Sequence, residues 1–496
     1  MKIQTIMVSV MLAATTTTAT AGGILTNTNQ SIDFLRNPAR DGAIGLDGVY
    51  SNPAGVAFLP EGFHIGFNWQ YAHQTRTIAS SNPVFALGKK NNGQTMKTFE
   101  GTADAPFIPS LQGAYNKGDW SIQVNLSVPG GGGACEFADG LGSFESVVGT
   151  IAKQLEPFGA KGYDMDGYMQ GRQYYFGAQL GTAYKINKNL AVYGGLRLLY
   201  GTATYKAKIS NIMVNIGEDR YMAFGSFLQS AGTTVDNSLE LVNAGMAQYE
   251  AAGATALPQY AELEATKAQL EGARQSINSL QKYSQGVNLL CNQSSVGIAP
   301  IIGVDYKFGN FNFAAKYEFK TDIRMKNEST VNEASEIDAV NKFKDGESVN
   351  EDAPAMLTLG AQWTPTETVR LNAGWHHYFD KQASWYGNSQ DKLSHNSNEL
   401  LVGVEWDLSD RMTVSLGGQI TRYGLTDEYM NDLSFVVNSN SIGFGFNYKA
   451  TDILTLKAGY VQSMYDDYDR VTSATVSDSF TRTNHVLGIG CQVEFS

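Results

Sequence analysis

From Gly62 onward the chain is dominated by segments of about ten residues in which apolar and polar side chains alternate. Within 310–320, the odd positions are Phe, Phe, Ala, Tyr and Phe, whereas the even positions are Asn, Asn, Ala, Lys, Glu and Lys. A period of two is that of a β-strand, and strands of ordinary soluble proteins are shorter, with a mode near 5–6 residues. The pattern therefore predicts long strands with one apolar face.

We count fourteen such segments, and their connections alternate between short and long. The longest connections fall near 130–172, 210–295 and 326–353. This rhythm is typical of outer-membrane barrels, whose short turns face the periplasm and whose long loops face outside. A soluble sandwich or propeller is the alternative, but a propeller requires a shared repeat of about 40–50 residues, which this sequence lacks. The sequence therefore predicts an all-β fold, a 14-stranded antiparallel transmembrane β-barrel over 62–496.

The composition fits a wall that faces lipid. Charged residues make up 17% of the chain, against about 25% in soluble domains, because charges on such strands must point inward. The net charge of −12 argues against nucleic acid as a partner, since phosphate binding requires a basic surface. Three cysteines do not provide a disulfide scaffold or a four-ligand zinc site, and we expect no metal and no cofactor.

The first 61 residues differ from the rest. Residues 1–21 combine a basic start, an apolar run and an Ala-Thr-Ala ending, which predicts a secretory signal peptide. Residues 22–61 are rich in small side chains and are not strand-like, so they could pack inside a 14-stranded lumen.

The long loops carry helical patterns. The first contains an apolar stripe from Phe144 to Leu155, the second a longer stripe that begins after Leu257-Pro258, and the third a weak one at Ile337, Val340 and Phe343. Two interpretations stay open: the helices cap the barrel by packing on one another, or their apolar faces form an outward groove for a ligand. Cys135 and Cys291 both fall in these predicted loops, and a disulfide between them is possible but is decided by geometry.

A Gly42-Ala43-Ile44-Gly45 stretch, then Asn52-Pro53-Ala54-Gly55, then the first strand, resembles the FadL/TodX family of outer-membrane transporters for hydrophobic compounds. The 105–109 and 128–130 segments are similar to that family's second and third strands. The resemblance implies an N-terminal hatch over 22–61 that plugs the lumen, with Asn52, Pro53 and Ala54 as its motif. The same three residues could also form a plain turn before the first strand.

The resemblance further implies a route for the ligand. A hydrophobic molecule lands on an extracellular groove, moves to a pocket above the hatch, and leaves through a gap in the wall at a kinked third strand. Pro129 and Gly130 mark either this gap or merely the start of a loop, since proline interrupts ladder hydrogen bonds. The expected location is the outer membrane of a Gram-negative bacterium, where a monomer contacts lipid and lipopolysaccharide.

Charges on the inward face have two interpretations. Opposite signs there either form a salt-bridged lumen that rigidifies the barrel, or a cation receives the carboxylate of a ligand. In the second case a shift of the hatch opens the pocket. The headgroup candidates are Arg197, Lys316 and Arg370, and the candidates for contact with the apolar tail are Ile44, Val49 and Phe58.

We expect no enzymatic activity, because the sequence has neither a G-x-S-x-G elbow nor an H-E-x-x-H motif. The function predicted from the sequence is passive uptake of hydrophobic compounds, foremost long-chain fatty acids. Uptake of aromatic hydrocarbons, or of haem with His376 or His395 as an axial ligand, and a general diffusion porin are the alternatives.

Overall fold

The computed structural model describes residues 25–27, 30–331 and 338–495, so the predicted signal peptide and Ile337 lie outside the described residues. Within this part of the chain one antiparallel sheet closes on itself, because the first strand pairs with both the second and the last. Its strands are β1 (Gly62–Ser81), β2 (Met96–Lys117), β3 (Trp120–Phe137), β4 (Gly162–Lys185), β5 (Leu190–Asn215), β6 (Tyr221–Ala223), β7 (Val287–Phe308), β8 (Phe311–Glu318), β9 (Arg324–Val331), β10 (Ser348–Asn350), β11 (Met356–Thr366), β12 (Val369–Tyr378), β13 (Ser397–Ser409), β14 (Met412–Arg422), β15 (Ser439–Lys449), β16 (Leu454–Tyr465), β17 (Tyr468–Ser473) and β18 (Val476–Phe495).

Four of the described strands, β6, β9, β10 and β17, extend the wall at its loop end, and the other fourteen form the barrel. The 14-stranded antiparallel barrel predicted from the alternation is therefore confirmed. The short turns hold glycines with positive φ, at Gly118 (+58°) and Gly309 (+57°), a conformation that side chains with a Cβ disfavour.

Several strands run further toward the long loops than the alternation predicts. β3 continues to Phe137 and β4 begins at Gly162, so the loop expected near 130–172 is reduced to 138–161. The loop expected near 210–295 is likewise reduced to 216–286. The outer strand ends stand beyond the apolar band and need no apolar face, so the alternation ends before the ladder of hydrogen bonds does.

The loops contain helices, as their stripes predict. The described helices are α1 (Ile32–Arg36), α2 (Gly142–Gln154), α3 (Phe224–Ala251) and α4 (Pro258–Leu280). Pro258 occupies the first turn of α4, as the Leu257-Pro258 pair indicates, whereas α3 has no counterpart in the sequence prediction. The third loop forms only a 3₁₀ turn at Asp338–Phe343. No described helix is long and apolar enough to cross a membrane.

The outward face of the wall is apolar and exposed. Leu180, Ile302, Leu400 and Val402 are 63, 53, 56 and 63% exposed. Soluble proteins do not leave so many large apolar side chains in water, so this face is built for a lipid bilayer. Aromatic rings cluster beside the short turns: Trp120 packs on Tyr184, and Phe311 stacks on Trp363 with 5.9 Å between centroids.

Val402→Arg tests this lipid-facing assignment, because Val402 lies halfway along β13. We expect the variant to lose about 2–4 kcal/mol of unfolding free energy, the cost of an arginine at the bilayer midplane. Urea titration in phospholipid vesicles measures the change. Leu241→Arg is the control, since Leu241 is 76% exposed on α3 and should tolerate the charge. Equal losses in the two variants would contradict the assignment.

Candidate functional site

The N-terminal segment 30–61, which we call the hatch, packs inside the barrel. Ile32 and Leu35 of α1 are fully buried against the strands β1, β16 and β18. The approach is close enough to require glycine: a Cβ on Gly360 of β11 would lie 2.2 Å from the backbone of Asp41. The hatch therefore occupies the lumen, as the small side chains of 22–61 suggest.

A first cluster of charges holds the hatch to the wall around Glu405 of β13. The guanidinium of Arg36 lies 2.5 Å from this carboxylate, and that of Arg40 lies 3.0 Å from it. Arg370 of β12 approaches the same carboxylate at 3.4 Å and pairs with Asp407 at 2.6 Å. Because a buried charge is costly unless it is paired, these contacts tie hatch and wall into one unit.

A second cluster joins the hatch at Tyr50. Glu318 accepts hydrogen bonds from Arg197 at 2.5 Å and from Lys316 at 2.6 Å. Lys316 also donates to the carbonyl of Tyr50 at 2.8 Å, and both cations lie 4.8 Å from the Tyr50 ring centroid. The structure thus shows the salt-bridged lumen. Arg197, Lys316 and Arg370 are split between two clusters, and the ligand-binding role of any of them stays a prediction.

The Asn52-Pro53-Ala54 motif is a third attachment. The Asn52 amide donates to the buried carboxylate of Asp305 at 2.6 Å and to the carbonyl of Ala43 at 3.2 Å. The Asn52 side chain also accepts from the backbone of Gly55 at 3.2 Å, and the Pro53 carbonyl accepts from Gln123 at 2.8 Å. The motif is therefore a turn, and it also binds two strands of the wall.

The predicted tail contacts belong to the packing of the hatch. Val49 is fully buried with Leu46 and Val56, while Phe58 is half-buried against Tyr193 and lies under the Lys307 ammonium at 4.8 Å. Ile44 is half-buried. These side chains lie below the large apolar cavity described next, and within the described residues none of the six predicted ligand contacts lines it. Lys316 instead lines a small cavity of about 30 Å³ in the lumen, together with Tyr50 and Met356.

An apolar cavity of about 900 Å³ lies at the outer end of the barrel, among the long loops. Its volume is in the range of pockets for small ligands. The loop stripes supply one part of its lining, so the loop helices cap the barrel and also line a cavity. That this cavity receives a ligand stays a prediction. The lining residues that belong to predicted stripes or their continuation are Phe144, Val147, Val148, Ile151, Leu155, Leu280, Val287, Val340 and Phe343.

Sequence reasoning missed the rest of the lining, because those residues lie in loops, in a short 3₁₀ turn, on strand ends or in α3, where no apolar period was recognised. They include Phe85, Met169, Phe224, Met430 and Leu433. The loop that carries Met430 is fixed to α2, since the Asp432 carboxylate accepts a hydrogen bond from the backbone of Ser143 at 2.7 Å. Burial raises the pKa of Asp432 above its usual value.

The wall is interrupted next to the predicted gap. β2 and β3 pair from Leu111↔Leu126 toward the short turn and again from Asp104↔Ala134 outward, but 105–110 and 127–133 do not pair with each other. Pro129 and Gly130 lie inside this wall interruption, within a strand that continues to Phe137. Of the two sequence interpretations, the start of a loop is thus wrong, while a role in ligand exit stays a prediction.

Cys135 and Cys291 are both free, and both lie in strands. Cys135 pairs across the sheet with Gly171, Gly171 with Tyr205, and Tyr205 with Cys291. Three strand spacings of about 4.8 Å put the two cysteines roughly 14 Å apart along the wall, beyond the ~7 Å that a disulfide spans. The disulfide that the sequence left open is therefore not formed.

His376 does not fit a haem ligand. Its Nδ1 lies 2.8 Å from Glu399 and its Nε2 lies 3.0 Å from Asp41 of the hatch. Because both ring nitrogens contact carboxylates, neither is left for an axial bond to iron. His395 is exposed, and its Nδ1 contacts the Asn396 carbonyl at 2.8 Å.

Comparison with known proteins identifies solved barrels of the same fold. A FadL homologue from Pseudomonas aeruginosa is 11% identical over 95% of this chain and 100% of its own, with a TM-score of 0.60. The toluene transporter TodX from P. putida is 14% identical over 91% of this chain and 94% of its own, with a TM-score of 0.54. The resemblance to these structures is thus confirmed at the level of the fold. No family model matches the sequence, and no curated protein matches it.

Asn52→Ala should loosen the hatch, because the Asp305 carboxylate would keep Asn312 (2.7 Å) but lose its second amide donor. We expect a loss of about 1–3 kcal/mol in the free energy that resists local opening. Hydrogen exchange of the amides between residues 42 and 57 measures it. Ser51→Ala is the control, as its hydroxyl donates only to the neighbouring Asp47 carbonyl. Unchanged exchange in Asn52→Ala would show that the motif does not hold the hatch.

Proposed function

We propose that this protein is a passive outer-membrane channel for the uptake of hydrophobic compounds, foremost long-chain fatty acids, by a Gram-negative cell. The observation that carries the proposal is the apolar cavity of about 900 Å³ at the loop end, above a lumen plugged by the hatch. Polar solutes gain nothing from an apolar cavity, and a plugged lumen is not an open aqueous pore. This arrangement favours capture of a hydrophobic molecule over general diffusion.

The cavity accounts for capture from outside. Burial of an alkyl chain contributes about 0.8 kcal/mol per CH₂, so a long chain gains enough to be held without any energy source. The lining comes from α2, from strand ends and from the 430–433 loop, elements that lie on the side of the long loops. The ligand therefore meets the cavity before it meets the hatch.

The wall interruption supports a lateral exit, and the hatch covers it from inside. The Gln30 amide donates to the Val128 carbonyl at 3.4 Å, and the Ser110 hydroxyl donates to the Gln30 carbonyl. Ile108, which pairs with β1 but not with β3, packs against the cluster that contains Ile32 and Leu35 of α1. Displacement of the start of the hatch would uncover the place where β2 and β3 do not pair with each other, which couples hatch movement to release.

Val147→Asp tests the capture step. Val147 is half-buried on the cavity side of α2, and a carboxylate there should weaken the binding of a hydrophobic ligand about tenfold or more. Binding of a fluorescent long-chain fatty acid to the purified barrel, with competition by oleate, toluene and haemin, gives the affinity and the ligand class. Lys153→Asp, on the exposed side of the same helix, is the control.

If only toluene or only haemin displaces the fluorescent probe, the protein is still a channel for hydrophobic compounds, but its ligand is not a fatty acid. If no probe binds saturably and the reconstituted protein conducts ions, the protein is a porin instead.

A reversible cross-link tests the exit step. In a background with Cys135, Cys291 and Cys491 replaced by serine, Gln30→Cys and Ser110→Cys place two thiols at the contact between hatch and wall. We expect oxidation to stop uptake of labelled oleate into cells and reduction to restore it, because the hatch can then no longer leave the interruption. The single-cysteine variants are the controls. Uptake at the full rate in the oxidised, cross-linked protein would exclude this exit.

A further inference from the structure

Two arginines face each other on the inner wall without a carboxylate. Arg76 of β1 and Arg482 of β18 are directly paired across the strands, and both positions belong to the inward-facing set of their strand. Side chains at directly opposite positions on one face lie about 5 Å apart at Cβ, and like charges there are destabilising. The pair is thus an unfavourable arrangement that the barrel maintains.

Among the residues that the structure describes, no carboxylate forms an ion pair with either arginine. Within the described residues, Arg76 makes no ion pair and no hydrogen bond, and its guanidinium lies over the Phe435 ring, 5.6 Å from the centroid. Arg482 donates one hydrogen bond to Gln74 at 3.0 Å and lies over the Tyr465 ring at 4.9 Å. The Nε atoms of both arginines are buried and unsatisfied. The other titratable groups that act on Arg76 are Tyr465 and the Cys135 thiol, neither of which supplies a negative charge at neutral pH.

The arginines of the hatch clusters are different. Arg36 and Arg40 are neutralised by Glu405, Arg197 by Glu318, and Arg370 by Asp407. Arg470, at the cavity, is paired with Asp478. These five arginines are each paired with a carboxylate, whereas Arg76 and Arg482 have no such partner among the described residues.

The pair lies between the cavity and the hatch. Ser80 and Asp478, which line the cavity, are opposite each other on the same two strands. Further from the loops along these two strands, the next lumen-facing pair is Ile78 and Phe480, which are both fully buried. Arg76 and Arg482 form the lumen-facing pair after that. Phe435 and Phe480, with ring centroids 5.0 Å apart, separate the pair from the cavity.

We propose that Arg76 and Arg482 bind the carboxylate of an amphiphile whose tail lies toward the apolar cavity, so that this channel selects anionic over neutral hydrophobic ligands. The inference rests on the proposed function and adds its specificity-determining residues. Of the ten N–H donors on the two guanidiniums, one already binds Gln74, and the others form planar forks that match a carboxylate. A bound anion also removes the repulsion between the two cations. The headgroup passes Phe435 and Phe480 to reach them, which draws the ligand from the cavity toward the hatch.

The test compares two ligands with the same C18 tail, oleate and oleyl alcohol, as radiolabelled probes of the full-length mature barrel in neutral detergent. We expect the wild-type protein to bind oleate more tightly, and Arg76→Gln to weaken oleate about tenfold while leaving oleyl alcohol within about twofold. Arg76→Lys, which keeps the charge, should retain most of the preference. Arg411→Gln, exposed in a short turn, should change neither affinity.

Folding of each variant is checked by urea unfolding, and Arg76→Gln should be as stable as the wild type or more so, because it removes a like-charge contact. Equal weakening of both ligands, or no effect on oleate, would overturn the carboxylate site while the hydrophobic channel stands. A wild-type barrel that binds neither probe would overturn the site and the proposed function together.

Discussion

The Glu405 carboxylate is the interaction on which the arrangement of the lumen depends. It is buried on β13 and would be costly to bury unpaired, and two of its three cationic partners, Arg36 and Arg40, come from the hatch. The wall is therefore incomplete without the hatch, and the hatch, whose α1 is five residues long, has little structure without the wall. Glu318 and Asp305 are likewise buried carboxylates of other strands, and the groups around them also contact the hatch.

This constraint decides where a hydrophobic ligand can go. Strands that face lipid outward must place their polar side chains inward, so the lumen of such a barrel is filled by charges and amides. An apolar molecule has no favourable path straight through it. The structure places the apolar volume among the long loops, above the hatch. The place where β2 and β3 do not pair with each other lies beside the start of the hatch. Capture and exit at these two places avoid the polar centre.

Much of the architecture could be predicted from residues alone. Alternation over ten residues is enforced by the lipid on one face of every strand, so strand number, turn rhythm and the inward charges follow from local pattern. The stripe of α2 and the Pro258 start of α4 are equally local signals. α3 was missed, and so were the outer strand ends, because hydrogen bonds to a neighbouring strand form there without an apolar pattern to reveal them.

What the sequence by itself determined is the barrel, because it follows from the periodicity along the chain; the small side chains of 22–61 only allowed a plug, which the family resemblance implied. Only the tertiary structure decided which charges meet. Arg197 and Lys316 contact Glu318 and Tyr50, and Arg76 lies opposite Arg482, more than 400 positions away in the sequence. It likewise separated Cys135 from Cys291 by three strand spacings. The reason is physical: pairing across a closed sheet depends on register and on which strands become neighbours, and neither is written in the local pattern of any one strand.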